Sequence, residues 1–287
     1  MLEDLNNDST RGNRPDTTGQ GSPYADPAVA AAYARIADPL QFVPPARDLV
    51  RLAQLERSAL VLDVGTGTGA VARSAAAALK SGGLVIAVDA SIPMLRFARE
   101  TPACSVAAVR IPGLPFRDDS FDAVLAGFVV SHLMDYRVGL ADLHRVCRIG
   151  GRVAMSTWGP LPNAASRLWI DTAGMFVPRD HLDEVFRAHI PWDEYFSDRV
   201  NLQQTVEDTG LTSILIETGK YEIAMTTVNF LLSREVSVQG MLVRRSLPEE
   251  KWEAFRFRVA DVFDRKFGQR LAYVRDVHFA VGTKSRH

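Results

Sequence analysis

Leu60-Val61-Leu62-Asp63-Val64-Gly65-Thr66-Gly67-Thr68-Gly69 decides the fold of this chain. Ala59–Val64 is a short apolar run of strand character. It breaks into three glycines, and an alanine-rich helix over 71–79 follows. A strand that runs into a glycine cluster and then a helix makes a ligand seat. Glycines let a ligand touch the backbone, and the helix start offers unpaired N–H groups. Gly65, Gly67 and Ala70 also satisfy G-x-G-x-x-A, the dinucleotide pattern. Asp89 follows Gly69 by twenty residues, at the end of the next strand, and suits ribose hydroxyls in either case.

Outward from this stretch, strand and helix alternate. Leu84–Val88 reads as the second strand, and Ser91 caps a helix running to about Glu100. Val106–Val109 reads as the third strand. Ala123–Val130, apolar throughout, is a central parallel strand. Arg137–Cys147 is an amphipathic helix with Leu140, Leu143 and Val146 inward. Gly150-Gly151 ends it before a fifth strand, Val153–Ser156. Asn201–Thr209 reads as helix, Ser213–Glu217 as strand and Val277–Val281 as the last strand. Ser246-Leu247-Pro248-Glu249 resembles a capping box before a helix over 248–267, with Trp252, Phe255, Val259, Val262 or Phe263, and Phe267 inward and Gly268 as its end. The pattern predicts an α/β, Rossmann-like, doubly wound sheet of seven strands, mostly parallel with an antiparallel last strand. Residues 1–22 lack large apolar side chains and read as a disordered tail. Residues 23–57 read as a mobile helical lid, with one helix from Asp26-Pro27 to about Ile36 and a second after Pro44-Pro45. Residues 58–287 read as the main domain, with an aromatic cap inserted at about 158–198.

Charge separates the two readings of the glycine loop. Asp63 sits two residues before the first glycine, where a carboxylate repels a pyrophosphate but suits a ligand carrying an amine and a sulfonium. Downstream come Leu114-Pro115-Phe116 with Ser120-Phe121-Asp122, then Ser131-His132-Leu133, then Leu143-His144-Arg145 leading to Gly150-Gly151. With these four blocks in this order, the chain resembles the class I S-adenosylmethionine-dependent methyltransferases. The likeness is to the branch of the ubiquinone/menaquinone C-methyltransferases (methyltransferase type 11). It covers residues 26–157 well and continues more loosely to the last strand.

The resemblance implies S-adenosylmethionine as cofactor, leaving as S-adenosylhomocysteine, and assigns residues to it. Gly65, Thr66, Gly67 and Gly69 shape the methionine–ribose seat. Asp63 serves the methionine amine, through water, and Asp89 the ribose diol. Ala90, Ser91 and Met94 line the adenine, and the Phe128 carbonyl meets the amine. Arg110 stands where the family usually has an Asp that accepts from the adenine amino group. A guanidinium cannot accept, which leaves the Ile111 backbone to read the ring. Tyr24 and Tyr33 are candidates to close over the cofactor and substrate, with ordinary packing as the alternative for both. His132 is the candidate general base, with a packed histidine as its alternative. Asp122 reads as structural. The acceptor pocket is assigned to Tyr24, His132, Trp158, Trp169, Phe176, Trp192, Tyr195 and Phe196.

Composition limits the function classes. The chain has 287 residues, 33 Lys+Arg against 34 Asp+Glu and a pI near 6.6, which argues against a sequence-independent grip on nucleic acid or anionic membrane. Cys104 and Cys147 make neither a disulfide framework nor a cysteine zinc site, and no spacing suggests another metal. No apolar run is long enough to span a bilayer, and the polar N-terminus lacks a signal-peptide layout, so a cytoplasmic protein is expected. The partner expected is a small methyl acceptor, aromatic or apolar, offering an O, N or C nucleophile. A homodimer is left open. Two alternatives stand beside methyl transfer: a methyltransferase fold catalysing another reaction, such as a cyclisation, and an NAD-dependent oxidoreductase, which Asp63 disfavours.

Overall fold

A computed structural model describes residues 23–79, 82–160 and 163–286. The expected tail, 1–22, lies outside them. In chain order the elements are α1 (Pro27–Ala32), a wide π-type segment (Tyr33–Phe42), α2 (Val43–Ala53), β1 (Leu60–Val64), α3 (Ala70–Ala78), β2 (Leu84–Asp89), α4 (Ile92–Ala98), β3 (Cys104–Ala108), β4 (Phe121–Gly127), α5 (Tyr136–Val146) and β5 (Cys147–Trp158). They continue as α6 (Ala164–Ala173), α7 (Arg179–His189), α8 (Asp193–Phe196), α9 (Arg199–Asp208), β6 (Thr212–Thr226), α10 (Thr227–Glu235), α11 (Val238–Ser246), α12 (Glu249–Phe267) and β7 (Arg270–Thr283).

The seven strands form one sheet in the order β3-β2-β1-β4-β5-β7-β6. The first five are parallel, and β7 runs antiparallel between β5 and β6. The strand order therefore reverses between β1 and β4, the switch point where open α/β sheets bind ligands at their carboxyl edge. Successive residues of the central strands enter opposite faces. Leu62, Val64 and Val124 pack with Leu140, Leu143 and Met155. Val61 and Leu125 pack with Leu49, Val71, Val85 and Phe279 on the other side. Burial on both faces explains why β1 and β4 are apolar apart from Asp63 and Asp122.

The recognised sequence blocks prove to be fasteners. Asp142 of α5 accepts the Gly113 and Leu114 amides at 2.7 and 2.8 Å, while Arg145 donates to the Leu114 and Phe116 carbonyls and pairs with Asp118 and Asp142. Asp122 accepts the Leu60 amide at 2.8 Å and pairs with Arg148, as its structural reading anticipated.

Four expectations are corrected. The N-terminal helices do not separate near Ile36. Pro39 lies inside a helical run that is continuous from Pro27 to Ala53, and the chain passes it in the wide π geometry because proline offers no N–H to the ordinary ladder. Ser246 makes no capping box: its hydroxyl donates back to Leu242, and Pro248 starts α12. β4 ends at Gly127 rather than Val130, because Phe128 turns into the left-handed region at φ +57. Finally, β6 and β7 are much longer than 213–217 and 277–281. Beyond Trp158, where β5 stops, their antiparallel pairing continues to Thr226–Arg270. This overhang supports a third apolar cluster of Trp169, Phe230, Val243, Trp252, Phe255, Phe263 and Leu271, built with α6, α10, α11 and α12.

Candidate active site

The carboxyl edge of the sheet opens into a cleft of about 680 Å³. On the β1–β2 side its floor is the glycine loop. Gly65 sits at φ +67, and a Cβ there would lie 2.4 Å from Val129, so both backbone and space demand glycine. Gly67, at φ +55, has open space where its side chain would be. The Thr66 amide donates to Val88 at 3.0 Å, tying the loop to β2. Asp89 accepts the Gly67 amide on one oxygen at 2.8 Å and the Ser91 amide on the other at 2.7 Å.

Asp63 lies behind the loop and is almost wholly buried. One of its oxygens accepts the Thr66 hydroxyl at 2.6 Å; the other, Oδ1, is buried without a hydrogen-bond partner. Burial pushes the carboxyl up to about 7, against the lowering effect of the Thr66 hydroxyl. A second buried carboxylate borders the cleft. Asp38, in the π-type segment, pairs with Arg73, which also donates to the Thr68 carbonyl at 2.6 Å, while Asp38 Oδ1 has no partner. The Ser91 hydroxyl donates to the Tyr24 carbonyl at 2.6 Å and its oxygen caps α4 at Met94.

On the β4–β5 side the wall is aromatic. Phe128 stacks on Trp158 with centroids 4.3 Å apart, Phe42 meets both rings edge-on, and Tyr33 stacks on Phe42 at 5.1 Å. Arg275, on the overhang of β7, covers Trp158 at 3.9 Å. His132 stands beside this wall with the Tyr24 ring 6.3 Å away, and burial lowers its imidazole to about 4, so it is neutral at physiological pH.

Of the residues expected in the site, Tyr24, Tyr33, Gly65, Thr66, Gly67, Asp89, Ala90, Met94, Arg110, Ile111, Phe128, His132 and Trp158 border the cleft. Asp63, Gly69 and Ser91 stand behind it as supports: Gly69 starts α3 at φ +94 with Ala98 against it. Five of the acceptor-pocket aromatics are elsewhere. Trp169 and Phe176 pack edge-on against Phe255 in the third cluster. Trp192, Tyr195 and Phe196 gather around Tyr136 in the core beneath the sheet. Large rings fill the deepest apolar space available, and here that space lies between elements. Apart from Trp158, the 158–198 segment borders the cleft through Phe186, His189, Ile190 and Asp193. Sequence reasoning missed Asp38, Phe42, Arg234, Gln239 and Arg275. Only Asp38 carried a signal, an Asp-Pro pair inside a helical run. Among the described residues no His, Cys, Asp and Glu cluster could hold a metal ion, and no helix is long and apolar enough to cross a membrane.

The residues present fit S-adenosylmethionine. A buried carboxylate oxygen without a partner is costly until a donor reaches it, and an ammonium group is such a donor. Asp89 keeps lone pairs free beside the loop for hydroxyls, and Met94 offers an apolar surface to a purine.

Comparison with known proteins gives the same assignment. Residues 62–155 match the family described as a methyltransferase domain. The chain is 35% identical over 102 residues to the ubiquinone/menaquinone biosynthesis C-methyltransferase UbiE of Geotalea uraniireducens, covering 33% of this chain and 43% of that one. It is 40% identical over 144 residues to the malonyl-[acyl-carrier protein] O-methyltransferase of Pseudescherichia vulneris, covering 47% and 56%. The chain thus spans about half the length of the curated relatives it matches. Among solved structures, phosphoethanolamine N-methyltransferase 2 of Haemonchus contortus superposes with a TM-score of 0.56 at 18% identity, over 94% of this chain and 60% of that one, which speaks for the fold. Asp63, the glycine loop and Asp89 all lie inside the matched stretch, so residues 62–155 are similar to a methyltransferase domain at the residues that build the candidate site.

Proposed function

We propose that this protein transfers a methyl group from S-adenosylmethionine to an O, N or C nucleophile of a small acceptor with a flat, apolar body. The observation that carries this reading is the buried, unpartnered Oδ1 of Asp63 behind the Gly65–Gly69 loop, with Asp89 closing the same loop from β2. A dinucleotide pyrophosphate would meet two buried carboxylates there, Asp63 and Asp38.

The bound cofactor supplies a methyl group activated on a sulfonium. The chain's own residues align, shield and accept protons. Tyr24, Tyr33 and Phe42 roof the cleft and keep water from the reacting face. The stacked Phe128 and Trp158 rings give the cleft an apolar wall beside which a flat acceptor can lie. Holding the nucleophile in line is worth up to roughly 7–11 kcal/mol in well-oriented systems, so alignment supplies most of the acceleration. His132, neutral beside this wall, can accept a proton on an imidazole nitrogen from an acceptor hydroxyl or amine. A soluble, cytoplasmic setting and a role in secondary metabolism accord with this reading.

The test is incubation of the purified protein with methyl-labelled cofactor and fractionated small-molecule extracts. Label appearing in a small product, and lost with Asp89→Ala, is the expected result. Saturable cofactor binding with no transfer to any fraction would favour a non-methylating reaction on the same fold.

A further inference from the structure

Along the carboxyl edge the cofactor seat occupies β2 and β1, so an acceptor is left the space over β4, β5 and the β7 overhang. That space is not purely apolar. Two guanidinium groups from distant parts of the chain reach it: Arg234 from the end of α10 and Arg275 from β7. Arg275 lies two residues past Val277, the last β7 position paired with β5, which sets its side chain over Trp158 at 3.9 Å. No carboxylate lies within ion-pair distance of Arg275 among the described residues. Asp193 borders the cleft and is near enough for the two charges to influence one another. Arg234 donates to the Gln239 amide oxygen and lies 4.8 Å over the Trp169 ring, but its Nε is buried with no hydrogen-bond partner.

From this juxtaposition we infer that Arg234 and Arg275 form an anion subsite, and that the methyl acceptor carries a carboxylate on its flat apolar body. The inference rests on the methyltransferase reading and deepens it. Two cationic forks facing one cleft repel each other, burial lowers both side chains to about 10, and neither guanidinium has a carboxylate within ion-pair distance among the described residues. A planar carboxylate satisfies guanidinium donors in pairs, in a geometry that an amide or ester cannot reproduce. With the carboxylate on the arginines, an aromatic ring attached to it can lie beside the Phe128–Trp158 wall, towards His132 and the cofactor seat. Negative charge on the acceptor also complements the positive cofactor next to it. Asp193 borders this side too; burial raises its carboxyl while the Arg275 guanidinium lowers it, so an incoming carboxylate competes with Asp193 for Arg275.

The test uses the full chain saturated with S-adenosylhomocysteine, with benzoate and benzamide as matched probes and tryptophan fluorescence as readout. Benzoate is expected to bind at least about tenfold more tightly than benzamide, the discrimination typical of a charged hydrogen-bonded pair. In Arg275→Gln and Arg234→Gln that preference should fall towards unity, and Arg275→Lys should restore part of it, while affinity for S-adenosylhomocysteine stays unchanged. Equal binding of the two probes by the wild type overturns the inference, as does benzoate binding that fails to saturate by about 10 mM. The wild-type comparison stands whether or not the variants fold. If S-adenosylhomocysteine itself does not bind, the methyltransferase reading fails and this subsite falls with it.

Discussion

Thr66 donates its hydroxyl to Asp63 at 2.6 Å, and that bond uses only one of the two carboxylate oxygens, leaving Oδ1 buried and unpaired behind the glycine loop. The free protein therefore holds a carboxyl that titrates at about 7 because burial disfavours its charged form. A cationic amine reaching that oxygen, directly or through water, selects the ionised form. Affinity for S-adenosylmethionine should fall as pH drops through about 7, by about tenfold per unit below it, with proton release on binding. Calorimetry in two buffers of different ionisation enthalpy measures both. Affinity that is flat from pH 5.5 to 8 would contradict it, and Asp63→Asn should show no such limb.

The same carboxyl sets a stability trade-off. Its folded pKa, about 7, lies above the unfolded value near 3.8. The stability it contributes is present in full below about 3.8 and is lost as pH rises through about 7. At pH 8 the ligand-free wild type buries a charge that Asp63→Asn does not. The variant should melt several degrees higher at pH 8 while binding the cofactor roughly 10- to 100-fold more weakly. A variant that is destabilised at pH 8 would remove Asp63 from this role.

Asp89 holds two loop amides besides facing the cleft. Asp89→Ala should weaken cofactor binding by about one to two orders of magnitude, partly because the Gly67 and Ser91 amides lose their acceptor. Titration with S-adenosylhomocysteine checks this, and unchanged affinity would exclude the residue from the site.

His132 is displaced from its ordinary titration near 6.5 to about 4. A base limb from this residue should therefore appear near pH 4, with activity rising as pH increases through it, and no His132 limb should cross pH 5–8. If the imidazole accepts the acceptor's proton, His132→Ala loses about two to four orders in kcat with cofactor affinity nearly intact. A His132→Ala enzyme that keeps most of its rate assigns the acceleration to alignment alone.

Two tryptophans separate pocket from core. Trp158→Ala should raise the acceptor KM with little change in cofactor affinity, since Trp158 faces the cleft. Trp169→Ala should instead destabilise the fold by about 3–5 kcal/mol, since Trp169 is buried against Phe255. Denaturant unfolding and steady-state kinetics on both variants would expose a reversed assignment.

The cofactor half was legible in the sequence because its signals are local. A strand buried on both faces reads as an unbroken apolar run, and Gly65, Gly67 and Gly69 all occupy positive φ within five residues of one another. The acceptor half was not, because its parts converge from afar. An apolar ring such as Tyr195 announces that it will be buried but not which cavity it fills. The β6–β7 overhang alternates exposed positions with covered ones such as Ile223, Met225 and Leu271, unlike the part of β7 that is covered on both faces. Arg234 and Arg275 reach the same cleft as Trp158 only because β6 and β7 project past β5.

The most direct test of the central claim is parallel calorimetric titration of the full chain with S-adenosylhomocysteine and with NAD at pH 8. The account predicts one saturable S-adenosylhomocysteine site per chain, weakened by Asp89→Ala, and no binding of NAD. Saturable NAD binding with none of S-adenosylhomocysteine would contradict it.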